Sequence, residues 1–60
     1  MTFKDAKGLH NGDEVISKAT GESIRVLNIL VSEFGIRPSV TIEGVGVQGG
    51  YDHWHHRDVR

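Results

Sequence analysis

The sequence predicts a small all-β domain. Two observations carry that expectation. β-Branched residues recur in short alternating runs, at "DEVISK", "SIRVLNILV" and "VTIEGV". Eight glycines and a single proline divide those runs into short pieces. Length sharpens the picture: 60 residues make one domain, 1–60. A chain of that size buries only about 60% of the surface its unfolded form exposes, so its stability is marginal. Cysteine is absent, which removes disulfides and thiolate metal sites. The core must come from aliphatic side chains and a few aromatics.

Each element has its own signal. "TFKDAKG" fits one helical turn, with Thr2 and Asp5 as a capping box and Gly8 as the stop. One turn is unstable alone, so Phe3 or Leu9 must dock on the rest. Asn11-Gly12 is a turn signal before a strand from Asp13 to Lys18. "ATGE" follows as a hairpin, with Gly21 at positive φ. In "SIRVLNILV", Ile24 and Val26 share a face, and Ile29 returns to it only if a bulge lies near Leu27 and Asn28. A helix over Glu22 to Glu33 is the rival reading; the β-branched content and the preceding turn favour a strand. "SEFGIRPS" is a polar loop. In "VTIEGV", Val40 and Ile42 alternate, and a bulge at Gly44 would bring Val45 onto the same inner face. A two-residue turn at Gly49-Gly50, with Gly50 at positive φ, would then set Val45 opposite Trp54. The expected core is Leu9, Val15, Ile24, Val26, Ile29, Val40, Ile42, Val45, Trp54 and Val59.

These stretches resemble a known architecture. "GDEVISKATGESIRVLNI" is similar to the opening of SH3-like barrels of the KOW and Tudor kind, and "YDHWHHRDVR" to their ending. The resemblance implies a five-stranded SH3-like barrel, with a short 3₁₀ turn before a last strand beginning at Asp58 and Val59. It covers about two-thirds of the chain. The chain is also similar to the very small SH3-like proteins encoded in bacterial and phage genomes. The architecture says little about function, because such barrels bind RNA, peptides, methylated tails and partner domains.

Composition narrows the function. The formal charge is −1, with seven Lys and Arg against eight Asp and Glu. That balance disfavours a general nucleic-acid binder, which needs a clustered positive surface. There is no apolar stretch of about 20 residues and no signal-peptide core, so a cytoplasmic location without membrane contact is expected.

The candidate binding residues are Arg25, Phe34, Tyr51, His53, His55 and Arg57. His53 and His55 share a strand face with Tyr51, and His10 or Asp52 would have to complete any metal site. A 3₁₀ turn near His55 breaks that face and leaves His55, His56 and Arg57 exposed, so no native metal and no cofactor are expected. Trp54 reads as core; the alternative is an exposed ring beside Tyr51 and Phe34 on a peptide-binding face. "EGVGVQGG" lacks the Lys and Ser or Thr of a phosphate loop, and hairpin glycines explain it better. No serine has a nucleophile context, so a non-enzyme is expected. The leading expectation is a small interaction module that binds a protein partner or itself. A KOW-like RNA- or DNA-binding module comes second, and a histidine-based metal-binding protein third.

Overall fold

The alternating runs become strands in the order the sequence implies. The computed structural model describes all 60 residues, Met1–Arg60. A five-residue helix, α1 (Phe3–Lys7), precedes strands β1 (Glu14–Ile16), β2 (Ser23–Ser32), β3 (Ser39–Val45) and β4 (Tyr51–His55). A 3₁₀ turn follows at His56–Asp58. The four strands form one antiparallel sheet in sequential order, β1-β2-β3-β4. The strand reading of Glu22 to Glu33 therefore holds over the helical one.

The inner face is apolar because the pleat is kept in phase by one bulge. Ile24 and Val26 point inward, Leu27 is the extra residue, and Ile29 returns to the inner face opposite Ile42. The bulge lies where the spacing of β2 requires it. Ala6, Val15, Ile24, Val26, Val40, Ile42 and Val59 are fully buried. Met1, Phe3, Leu9, Ile29 and Trp54 pack around them, half-buried. Helix α1 keeps the Thr2 half of the expected capping box, the Asp5 N–H donating to Thr2 Oγ1 at 3.1 Å; the return bond from the Thr2 N–H to the Asp5 carboxylate does not form. Ala6, on the inner side of α1, is a core residue that the short helix did not advertise.

The second expected bulge is absent. β3 keeps an unbroken register with β4 through Gly44, so Val45 faces outward and is not core. Gly44 is a glycine for a different reason. A Cβ there would stand 2.4 Å from the Arg25 carbonyl oxygen and 3.0 Å from Ile24 Cγ2. The bent β2 passes too close to β3 for any side chain at that point.

The β3–β4 turn also differs from the expected two residues. Gly46 N–H donates to Gly50 O at 3.3 Å and Gly49 N–H to Gly46 O at 2.9 Å, so three residues lie inside the closing pair. Gly49, not Gly50, takes the positive φ, at 79°. That is a type I turn followed by a left-handed residue, the usual three-residue hairpin. Gly12 and Gly21 do take positive φ, at 98° and 76°. The longer turn shifts the register, so Trp54 opposes Ile42 and Val45 opposes Tyr51. Trp54 still lies on the inner side and packs against the core. Because it is half-buried, Trp54→Ala should cost about 2–3 kcal/mol, below the range for a fully buried ring. A urea titration should show the loss as a lower midpoint, and an unchanged midpoint would place the indole outside the core.

β1 is shorter than Asp13 to Lys18: its ladder with β2 ends at the Ile16–Ser23 pair, and its other edge takes the last residues of the chain as partner. Ile16 exchanges backbone hydrogen bonds with Arg60 at 2.9 and 2.8 Å, and Lys18 N–H donates to Asp58 O at 2.9 Å. Ser17 and Val59 form an isolated antiparallel bridge. The last three residues thus lie along β1, as a bridge rather than a strand with its own ladder.

His56 departs most from expectation. The sequence places it on an exposed turn; in the fold it is 4% exposed. Its Nδ1 accepts the Val40 N–H at 3.2 Å. Val40 is the next β3 position whose backbone faces β4, but the chain has already turned away into the 3₁₀ turn. The imidazole stands in for the missing ladder carbonyl.

Candidate functional site

The outer face of the sheet gathers most of the candidate residues. Register alone defines its rows. Glu14 pairs with Arg25, Arg25 with Val45, and Val45 with Tyr51. The next row runs Asn28, Glu43, His53, and the one after it Leu30, Thr41, His55. Arg25, Tyr51, His53 and His55, from two strands far apart in sequence, therefore share one surface. The Asn28 amide donates to the Glu43 carboxylate at 3.3 Å across it. Glu43 also holds the Tyr51 phenol above its ordinary range, by hydrogen bonding first, then partial burial and its own charge.

At the β3–β4 turn this surface dips into an open groove of about 300 Å³ lined by Glu14, Ser23, Arg25, Val45, Gly46 and Val47. The Ser23 hydroxyl donates to Glu14 at 2.6 Å. The ion pairs of the chain are Lys7–Glu33 and the two histidine–aspartate pairs, so Arg25 enters none of them. Its guanidinium is available to an incoming acceptor.

The other two candidates lie elsewhere. Phe34 is 91% exposed in the loop between β2 and β3. That loop joins the Ser32–Ser39 end of the hairpin, whereas Tyr51 pairs at Val45. Six strand residues separate those ends, roughly 20 Å, so Phe34 does not join Tyr51 and Trp54. Leu30, Val31 and Ile36 are exposed toward the same far end. Arg57 is exposed on the 3₁₀ turn.

The histidines do not converge. His55 Nδ1 accepts the Arg57 N–H at 3.1 Å and caps the 3₁₀ turn. His53 Nδ1 stands 3.9 Å from Asp52. His10 stands beside Asp13 in the loop before β1. No three His, Asp or Glu side chains come together in metal-binding geometry. The His55 ring instead stacks on His56, with centroids 4.5 Å apart. Burial, then the neighbouring His55 and Arg57, hold His56 below the usual histidine range.

His56 is the residue that sequence reading missed. Its signal was weak: in "HWHHRD" it stands two beyond Trp54, on the inner side if the alternation persists for one more residue. No helix is long and apolar enough to cross a membrane. Comparison with family models, characterised proteins and solved structures found no match to this chain.

Proposed function

We propose that this chain is a five-stranded SH3-like barrel acting as a small non-enzymatic module that binds a protein partner. Support for the fifth strand comes from the backbone bonds between β1 and residues 58–60. The observation that carries the functional reading is the outer face itself. It places Arg25, Tyr51, His53 and His55 together beside an open groove. Arg25 shares that face with Glu14 and Glu43, so its charge is mixed rather than uniformly positive. Mixed charge with exposed aliphatic and aromatic groups suits a protein surface better than a phosphate backbone.

The test is affinity capture from the native cell, with and without nuclease, using the natural chain and an Arg25→Ala, Tyr51→Ala variant. Both side chains are exposed, so amide dispersion should be retained. Capture of a defined protein should survive nuclease and be lost with the variant. Loss on nuclease treatment would favour the nucleic-acid reading. Capture unchanged by the variant would remove this face from the function.

A further inference from the structure

β4 is the outermost strand of the sheet. Its hydrogen-bonding alternation is set at both ends of β3, by Gly46 N–H to Gly50 O and by Val40 N–H to His56 Nδ1. Asp52 and Trp54 therefore turn their backbone groups toward β3. Tyr51, His53 and His55 turn theirs outward, along a free edge. Such an edge is a template for any extended chain. Here its centre is guarded: the His53 N–H donates to Asp52 Oδ1 at 2.8 Å.

Asp52 also forms part of a second groove, of about 190 Å³, at the turn end of β4. Glu22 lines it too, together with Tyr51 and Trp54, and no Lys, Arg or His does. Two carboxylates beside the Trp54 indole complement a cation. A strand laid along β4 points its side chains alternately to the two faces. The residue opposite Asp52 shares the face of Asp52 and Trp54, and so reaches this groove.

We infer that the free edge of β4 binds an extended segment of a partner protein bearing a Lys or Arg, whose side chain enters the groove between Glu22 and Asp52. The inference rests on the protein-binding reading above and specifies the partner's chemistry. The cation gives Asp52 a new partner and frees the His53 N–H for the incoming strand. A neutral or acidic segment leaves that carboxylate in place, so the edge discriminates by charge.

The test is an NMR titration with a capped seven-residue peptide of alternating Thr and Val carrying one central Lys. Matched peptides carry norleucine or Glu at the centre. The Lys peptide should shift the amides of Tyr51, His53 and His55 and the Trp54 indole, and bind at least tenfold tighter than the Glu peptide. Asp52→Asn with Glu22→Gln, near-isosteric changes at an exposed and a half-buried side chain, should reduce that ratio to below twofold. Equal binding of all three peptides overturns the charge selection while leaving a protein-binding edge. Shifts confined to Arg25, Val45 and Val47, or none at millimolar peptide, overturn the edge site. Failure there, with capture through the outer face intact, leaves the module reading standing. Concentration-dependent shifts of the same β4 amides without peptide would make a second copy of the chain the occupant and overturn the inference.

Discussion

Gly44→Ala is expected to remove a third or more of the chain's stability. The new methyl would stand 2.4 Å from the Arg25 carbonyl oxygen, which is backbone and cannot rotate away. Relief requires β2 and β3 to separate by most of an ångström at the centre of the sheet. That disturbs Ile24 and Val26, two of the fully buried residues. Overpacking of this kind costs about 3 kcal/mol or more when the neighbour cannot yield. A chain of this length has only about 3–9 kcal/mol in total. Gly46→Ala is the control: its Cβ would meet nothing nearer than Glu22 Oε2 at 3.7 Å, an ordinary contact. It should stay within about 1 kcal/mol of the natural chain. Equal urea midpoints for the two variants would mean that β3 has room over β2 and that the register at Gly44 is wrong.

His56→Ala should be almost as damaging, and it should act through a different cause. It removes ring packing against Phe3 and His55. It also strands the Val40 N–H in the interior, and an orphaned buried donor costs about 1–3 kcal/mol by itself. His56→Asn keeps an oxygen near the Nδ1 position and should recover part of the loss. The two variants separate hydrogen bonding from volume. The natural chain should also weaken in acid. Nδ1 must be unprotonated to accept from Val40, and burial, His55 and Arg57 all oppose charge on the ring. A depressed folded-state pKa means that the unfolded chain binds more protons. The contribution is therefore complete above the ordinary histidine value of about 6.5 and declines as pH falls below it toward the folded value. For one titrating group the slope there cannot exceed about 1.4 kcal/mol per pH unit. His56→Asn should flatten that limb between pH 7 and 5 when its urea midpoints are compared with those of the natural chain. Parallel curves would show that His56 titrates alike in both states.

The strands and their inner face could be read from local pattern. Val15, Ile24, Val26, Val40 and Ile42 announce themselves by β-branching and alternation. The bulge at Leu27 follows from the three-residue step between Val26 and Ile29. Such signals live within a few residues and survive without knowledge of the partner strand. The outer face follows once those phases are correct, because a residue that is not inward on a strand is outward. Arg25, Tyr51, His53 and His55 therefore came together from pattern plus register, whereas Phe34 did not, since a loop position carries no phase.

Contacts between segments decided the rest. Gly44 looked like a bulge because a glycine in a strand has two explanations, and only the distance to the Arg25 carbonyl separates them. Turn length at Gly46–Gly50 depends on which glycine turns left-handed, and all three glycines there are locally able to do so. That choice moved Trp54 from Val45 to Ile42. His56 illustrates the limit best. Local pattern offers an exposed histidine on a turn. The fold supplies a backbone donor sixteen residues earlier in the chain that has lost its strand partner, and so makes the imidazole a buried acceptor. Composition and alternation determined the four strands and their two faces; which polar groups needed one another was decided only when the segments packed together, because an unsatisfied donor is costly only after water has been excluded.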